Sequence, residues 1–345
     1  MLRLRPIALA MSIALAACAQ VPQKSAPSTQ TAQAAKVVNP FFAASSLPFQ
    51  APPFDKIHDA DYAPAFDEGM KEQLAEVEKI ADQAAAPTFD NTIVALEKTG
   101  ATLTRVSKAF FALAQANTND DMQKIQEIYA PRLAAHQDAI FLNTKLYARV
   151  KTLYDERTTL GLDAESARLL DRYHLSFVRA GAELSTADQA KLKGLNKEES
   201  SLQTAFQQKL LAATKVGALI VDDKAELAGL SDGDLAAALE AGKSRKLDGK
   251  YVVALQNTTQ QPEQDSLSDR ATRKKLFEAS VDRAEHGDAN DTRATILRLA
   301  ELRAQKARLL GYKTWADYSL ADQMAKTPAN AIKLMTDIVP KAVAK

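Results

Sequence analysis

The amino-acid sequence predicts a mainly α-helical fold with a small β-hairpin or sheet, and three observations support this class. Glycine and proline contribute only 12 and 13 of the 345 residues, fewer than the average usage of about 7% and 5% would give. Apolar residues recur every three or four positions along most of the chain, as on one face of an α-helix. Only two stretches, about 217–222 and 250–257, are typical of strands.

Composition excludes several classes of protein. The chain has 44 Lys+Arg and 43 Asp+Glu, a net charge of +1, so it lacks the basic footprint of a nucleic-acid-binding protein and no nucleic-acid partner is predicted. Hydrophobic residues make up 46% and charged residues 25%, which is ordinary for a globular protein. The single cysteine allows no internal disulfide and excludes a zinc site built on several thiolates.

The first 17 residues have the pattern of a targeting signal. Arg3 and Arg5 form a positive start, and residues 7–17 are almost wholly apolar but too short to span a bilayer as a helix. The run ends in Leu15-Ala16-Ala17-Cys18, which resembles a bacterial lipobox, the signal in which the cysteine becomes the lipidated N-terminus. We therefore predict a lipoprotein signal peptide over 1–17 and lipidation of Cys18. The alternative is an ordinary signal peptide followed by an unmodified cysteine.

The residue that follows Cys18 is Ala19, not the Asp that is associated with retention in the inner membrane. The lipobox resemblance therefore implies a lipid anchor in the outer membrane, on the periplasmic face of the bacterial cell envelope. Residues 18–47 are rich in Gln, Ser, Thr, Pro and Ala and show no sustained apolar period. They are predicted to be a flexible tether, because such a stretch buries too little apolar area to offset its ordering entropy.

Beyond the tether the apolar period predicts helices over about 61–80, 93–113 and 122–140. Pro131 falls inside the third of these and is expected to kink or divide it. Residues 164–180 form a shorter predicted helix. Ser185 followed by Asp188 is typical of a capping box, which predicts the start of another helix at Ser185. The apolar stripe of that helix extends to Ala213.

Two strand-like runs interrupt the helices in the second half of the chain. Gly217–Val221 is rich in β-branched residues, and Tyr251–Leu255 follows an Asp-Gly turn. Between them a helix is predicted over Ser231–Ala241, with Gly242 as its C-cap. Further helices are predicted from Ser268, from Asn290–Thr292 to Gly311, and from Thr327–Pro328, the last interrupted by Pro340.

The residues that usually carry catalysis are sparse. The four histidines are His58, His136, His174 and His286, and no two share a helical turn, so none forms the i, i+4 pair that binds zinc. His136 lies on an apolar stripe and His174 lies beside aromatic residues, which favours core positions for both. The sequence predicts no catalytic and no metal-ligating residue in this chain.

Several segments resemble the thimet oligopeptidase family of zinc metallopeptidases, in order and in spacing. They are Phe54–Ile57, Tyr62–Met70, Pro87–Thr92, Phe110–Phe111, Ala116–Asn119, Leu255–Pro262, Arg283–Ala284 and Ala307–Tyr312. Within that family, Leu255–Pro262 is similar to the bacterial peptidyl-dipeptidases. The resemblance covers about residue 48 to the end, and it corresponds to the N-terminal half of the family only.

The resemblance implies a two-lobed, mostly helical zincin-type peptidase with a deep channel between its halves. In that family two His of an H-E-x-x-H motif and a later Glu bind zinc, and the motif Glu activates the attacking water. This sequence contains no such motif, so no catalytic residue is carried over. We therefore expect 48–345 to be the N-terminal helical region, ending before the zinc motif as a truncated gene, a fragment or half of a split protein.

Two functions follow from these expectations. In the first, the chain is the N-terminal portion of a peptidyl-dipeptidase that removes dipeptides from the C-termini of short peptides, with zinc as the cofactor of the complete enzyme only. The chain alone is then inactive, binds no zinc, and contributes the strand Tyr251–Leu255 to the substrate channel through Tyr251, Val253 and Leu255, since extended peptides often pair with a sheet edge. The alternative for the strand is a small structural hairpin. The alternative for the chain is a non-enzymatic helical lipoprotein module that binds peptides or a partner.

Overall fold

The described part of the chain, residues 38–256 and 261–344 of a computed structural model, contains thirteen α-helices, two strands and four short 3₁₀- or π-helical segments, which confirms the predicted class. The helices are α1 (Asp59–Ala81), α2 (Ala95–Glu97), α3 (Ala101–Ala116), α4 (Asp120–Phe141), α5 (Thr144–Asp155), α6 (Ala164–Ala180), α7 (Thr186–Val216), α8 (Asp232–Ser244), α9 (Glu263–Ser266), α10 (Arg270–Val281), α11 (Arg293–Leu309), α12 (Trp315–Leu320) and α13 (Pro328–Val343). The strands are β1 (Ala218–Val221) and β2 (Tyr251–Ala254). Cys18 and the predicted signal peptide lie outside the described residues.

Side-chain caps start several of the helices where the sequence places them. The hydroxyl of Ser185 accepts a hydrogen bond from the amide of Asp188 at the start of α7, and Thr327 caps α13 in the same way. Each cap satisfies one of the amides that have no partner within the first turn of a helix. Within the described ranges, no helix combines the length and apolar composition needed to cross a bilayer.

Pro131 does not divide its helix, and the expected interruption at Pro340 is wrong. Helix α4 continues through Pro131, and α13 continues through Pro340. In α4 the buried residues Tyr129 and His136 lie on either side of the proline, so tertiary packing holds both halves although one main-chain donor is missing. In α13 the amide of Ala344 bonds to the carbonyl of Pro340 at 3.0 Å, which closes the last turn beyond the proline.

Gly242 lies inside α8 and is not its C-cap, so that prediction is wrong. The helix ends in a Schellman arrangement, in which the amide of Leu247 bonds to the carbonyl of Gly242 and Lys246 takes the left-handed conformation at φ 59°. Gly242 is required for a different reason. A Cβ at this position would lie 2.2 Å from the carbonyl oxygen of Lys250, just before β2.

The two strands form an antiparallel sheet in which Ala218 pairs with Ala254 and Val221 pairs with Tyr251. Helix α8 lies in the connection between them, so they form a small sheet and not a tight hairpin. Strand β2 packs against α8, and β1 packs against α10. The buried residues of this region form one apolar cluster, the sheet cluster: Leu219, Val221, Leu227, Leu235, Ala238, Val253, Leu255, Leu267 and Leu276.

The first helices pack around an aromatic core. Phe66 is fully buried, with its ring centroid 5.3 Å from that of Phe110 and 5.0 Å from that of Tyr129, which joins α1, α3 and α4. Phe41, inside the range predicted for the tether, is also buried, and its ring centroid lies 5.4 Å from that of Tyr62. The packed part of the chain therefore begins before residue 48.

The close approach of α8 to β2 leads to a prediction about two glycines. Gly242→Ala is expected to destabilise the fold by about 1–3 kcal/mol, because the new methyl group overlaps the carbonyl of Lys250. Gly194→Ala, in the exposed interior of α7 where no atom lies within 4 Å of the new Cβ, is expected to stabilise it by about 1 kcal/mol through helix propensity. Urea unfolding of both variants measures the difference. Equal effects of the two substitutions would contradict the close approach.

Candidate functional site

The side chains of the predicted channel strand belong mostly to the core. Val253 and Leu255 are each 6% exposed and are part of the sheet cluster, and Tyr251 packs against the same cluster while partly exposed. Their side chains therefore stabilise the sheet. Strand β2 ends at Ala254, and Ala254 and Leu255 line a large cavity.

This cavity, the β2 cavity, has a volume of about 890 Å³. Its walls come from the start of α1, the loop between α3 and α4, the last turns of α7, the end of α8 and the end of β2. The lining residues are Asp59, Thr118, Asn119, Asp120, Asp121, Gln123, Gln208, Leu211, Ala212, Thr214, Lys215, Arg245, Ala254 and Leu255. Its volume is within the range of small-ligand pockets, about 300–1,000 Å³, but its lining residues are mostly polar, unlike the largely apolar lining that is usual for such pockets.

Two segments that carry the sequence resemblance meet at this cavity. Thr118 and Asn119 come from the segment Ala116–Asn119, and Leu255 begins the segment Leu255–Pro262. Asn119 holds two walls together. Its side-chain oxygen caps α4 by accepting from the amide of Met122 at 2.9 Å, and its side-chain amide donates to Asp59 of α1 at 2.8 Å.

Charges of opposite sign line the β2 cavity. Asp59, Asp120 and Asp121 lie at the starts of α1 and α4, whereas Lys215 ends α7 and Arg245 ends α8. Among the described residues neither Lys215 nor Arg245 forms an ion pair, and Arg245 donates only long hydrogen bonds of 3.3–3.4 Å to backbone carbonyls. The cavity thus offers cations for a carboxylate and carboxylates for an ammonium group, the two ends of a short peptide.

The sequence alone did not indicate Lys215, Arg245 or Asp59 as site residues. Each is a charged residue at a helix end, where such residues are common for electrostatic reasons alone. They come from three distant segments, so no local spacing relates them. Only the packing of α1, α7 and α8 brings them around one cavity.

Arg283 and Gln261 brace the segment that follows β2. Arg283 donates to the carbonyl of Gln256 at 2.8 Å and to the carbonyl of Ser280 at 3.1 Å. Gln261 accepts from the amide of Gln256 and donates to the hydroxyl of Ser280. These contacts link Leu255–Pro262 and Arg283–Ala284, two of the segments that carry the family resemblance. They hold the backbone after β2 in place beside the cavity.

The described residues contain no group of three or more His, Cys, Asp or Glu that could hold a metal ion. His58 precedes α1, His136 bonds to Gln73, His174 stacks on Tyr154, and His286 is exposed. The four rings therefore occupy separate places. The residues present do not fit the zinc site of the family, and no chemical step at zinc is assigned to them.

A buried ion-pair network lies between α7 and α11. Glu199 accepts from Lys306 at 2.6 Å and from Arg303 at 2.9 Å, and its side chain is 8% exposed. Burial alone would raise the pKa of Glu199, but the hydrogen bonds from Lys306 and Arg303 outweigh burial and lower it. Beside it, burial raises the pKa of Asp138 although Asn196 donates to that carboxylate at 2.6 Å. This network fixes α11 against the long helix α7.

His136 gives the fold a pH dependence. Its Nε2 lies 2.7 Å from the side-chain oxygen of Gln73, whose amide donates to Thr99, so Nε2 carries the proton. Nδ1 is buried without a partner among the described residues, and burial lowers the pKa of His136. Below its ordinary pKa of about 6.5 the unfolded chain therefore binds a proton that the folded chain does not, and the free energy of unfolding falls as the pH drops.

We therefore expect the free energy of unfolding to decrease from pH 7.5 to pH 5.5, and to decrease less in His136→Gln. Urea unfolding at the two pH values measures both differences. His286→Gln, at an exposed position, is the matched control and is expected to keep the wild-type decrease. An equal decrease in His136→Gln and in wild type would contradict the role of His136.

Comparison with known proteins agrees with the resemblance found in the sequence. Residues 264–345 match the model of peptidase family M3. The chain is 51% identical to dipeptidyl carboxypeptidase of Escherichia coli (strain K12) and 49% identical to that of Salmonella typhimurium, over 88% of this chain and 45% of each relative. It is 25% identical to oligopeptidase A of Escherichia coli over 86% of this chain and 44% of that protein.

The chain thus spans about half the length of the curated relatives that it matches. The family model and these relatives agree in class, since all of them are peptidases by name. They confirm that this chain resembles one half of the peptidases of family M3, with its strongest similarity here to the dipeptidyl carboxypeptidases.

Proposed function

We propose that this chain is the N-terminal portion of a dipeptidyl-carboxypeptidase-type zinc peptidase and that it supplies part of the peptide-binding wall. The observation that carries this proposal is the 51% identity to the Escherichia coli dipeptidyl carboxypeptidase over 88% of the chain. Identity to oligopeptidase A is half as high over a similar span. This difference in identity favours an activity that releases a dipeptide from the C-terminus of its substrate.

The β2 cavity supports a role in peptide binding. It lies at the end of the strand that the sequence associates with the substrate channel, and it carries groups for both charged ends of a short peptide. Lys215 and Arg245 are available for a carboxylate because no ion pair within the described ranges engages them. In the proposal, the cavity binds the peptide and the zinc-dependent step takes place on residues outside this chain.

The chain alone is expected to be inactive. Its sequence has no H-E-x-x-H motif, and its described residues hold no metal-binding group. A catalytic zinc in this class of enzyme needs three protein ligands and an open position for water. To test this, the purified chain is dialysed against trace zinc, bound metal is measured, and a blocked tripeptide is assayed. About one zinc per chain with chelator-sensitive dipeptide release would contradict the proposal.

Peptide binding by the chain itself is tested with a fluorescent tripeptide that has a free C-terminus. Lys215→Glu and Arg245→Glu are each expected to weaken binding at least fivefold, because each places a like charge beside the peptide carboxylate. The control is Lys79→Glu, which makes the same change of charge at an exposed position. Lys79 lies near the end of α1, whereas the cavity residue Asp59 is the first residue of that helix. Binding that is insensitive to both cavity variants would exclude the β2 cavity.

The same measurements address the alternative function, a non-enzymatic module. The chain is next joined to the portion of the Escherichia coli relative that it does not match. The peptidase proposal expects the joined protein to release dipeptides. Tight peptide binding by the chain alone, together with a folded joined protein that releases no dipeptide, would instead favour the module.

We further propose that the protein is a lipoprotein of the bacterial cell envelope, anchored through Cys18. The support is the sequence of the first 18 residues, with Arg3 and Arg5 before the apolar run and Leu15–Cys18 at its end. Mass spectrometry of the mature N-terminus is expected to find a lipidated Cys18, and Cys18→Ser is expected to abolish both the modification and the membrane association. An unmodified chain that starts at Ala19 would contradict the anchor.

A further inference from the structure

Helix α13 exposes its apolar side chains. None of the residues of α13 is buried, and six large apolar side chains are 54–80% exposed. They are Ile332, Leu334, Met335, Ile338, Val339 and Val343. A contiguous apolar surface of this kind on a soluble protein marks an interaction site.

Five of these six residues form a stripe, and the charged residues of α13 lie elsewhere on the helix. At 100° per residue, Ile332, Met335, Ile338, Val339 and Val343 fall within an arc of about 140°. Lys333 and Asp337, an ion pair of 2.7 Å, lie outside that arc. On the surface helices of globular proteins, an apolar arc of this width faces the core. A helix with this distribution is therefore expected to pack its apolar arc against another element.

The start of α13 is fixed, so the stripe is presented in a defined conformation. Thr327 caps the helix, and the side-chain amide of Asn330 donates to the carbonyl of Ala325 at 2.8 Å. Isolated helices of about this length are marginal in water, and most helical stability in proteins comes from tertiary packing. Within the described residues α13 packs mainly against α12. The side chains of the stripe remain exposed there, so they do not yet stabilise the helix through tertiary packing.

We propose that the stripe of α13 is the docking surface for the remaining half of an M3 peptidase chain. The inference rests on the proposed function. Helix α13 lies within residues 264–345, the segment that matches the family model. The matched region is 45% of the Escherichia coli relative, so more than half of such a protein lies outside the matched region and is long enough to cover the stripe. The stripe combines Ile, Val and Met without a charge inside the arc, a composition typical of obligate interfaces.

The test uses this chain co-expressed with the portion of the Escherichia coli dipeptidyl carboxypeptidase that it does not match, each with its own affinity tag. The two pieces are expected to purify together as a one-to-one complex, with slower amide exchange in α13 than in this chain alone. Met335→Glu and Val339→Glu, both in the middle of the stripe, are each expected to weaken the complex at least tenfold. Lys341→Glu also adds negative charge to α13 but outside the stripe, and it is expected to have no effect.

The following results would overturn the inference. Pieces that do not associate, or a complex that Met335→Glu and Val339→Glu leave unchanged, would show that the stripe is not the docking surface. A dimer of this chain that Met335→Glu dissociates would show that a second copy covers the stripe. Peptidase activity is measured separately, so a stripe-dependent complex without activity would count against the proposed function alone.

Discussion

Replacing Glu199 with alanine is expected to destabilise the fold by about 3–5 kcal/mol, because it removes the carboxylate that forms the ion pair with the largely buried ammonium group of Lys306. Glu199 is 8% exposed and Lys306 is 13% exposed, with 2.6 Å between their charged atoms. Lys306 cannot easily turn into solvent at that burial. Arg303, the second partner, is 35% exposed and can recover contact with water.

A double substitution distinguishes two causes of the destabilisation, the lost attraction between the two charges and the cost of a buried charge that has lost its ion-pair partner. Glu199→Met combined with Lys306→Met removes both charges and keeps similar volume, so it is expected to cost far less than Glu199→Ala alone and to approach wild-type stability. Urea unfolding of the two variants and of Lys306→Met gives the coupling between the positions. A double variant as unstable as Glu199→Ala would show that packing, and not charge, explains the loss.

Phe66→Ala is expected to cost about 3–5 kcal/mol, the range for removing a fully buried phenylalanine. Phe66 lies where α1, α3 and α4 meet, and its ring contacts those of Phe110, Phe111 and Tyr129. The substitution therefore leaves a cavity inside a cluster of rigid rings, which relax little. Loss of the favourable edge-to-face geometry with Phe110, at an interplanar angle of 81°, adds to the cost.

The matched control for this substitution is Phe49→Ala, since Phe49 is fully exposed. It removes the same atoms from the surface and is expected to change stability by no more than about 0.5 kcal/mol. Thermal and urea unfolding measure both variants. Comparable effects at the two positions would contradict the assignment of Phe66 to the core.

Two surfaces carry the functional proposals, and of their residues the sequence indicated only Leu255 as a candidate site residue. The β2 cavity collects charges from α1, α7 and α8, and the stripe of α13 presents apolar residues that the described residues leave exposed. The proposals assign peptide to the first surface and the rest of a peptidase chain to the second. Their tests use different variants and different measurements, so each can fail without the other.

The sequence by itself determined the fold class, the family resemblance and most element types. The 3.6-residue period predicted most of the helices, although the helix expected over 93–113 is divided at Gly100 into α2 and α3. Apolar runs predicted both strands, and Ser185 and Thr327 marked helix starts. These features depend on neighbours within one or two turns, which is why local sequence is sufficient for them. The family resemblance depends on ordered segments, and the comparisons confirm it.

Only the tertiary structure decided the roles of residues whose partners are distant in the chain. Gly242 is needed for the approach of Lys250 and not to end a helix, and Phe41 joins the core from inside the predicted tether. Glu199 forms an ion pair with Lys306, which is 107 residues away in the chain. Lys215, Arg245 and Asp59 line one cavity although they come from three separate helix ends. No local period encodes such pairs, because they arise from how helices pack against one another once each has formed.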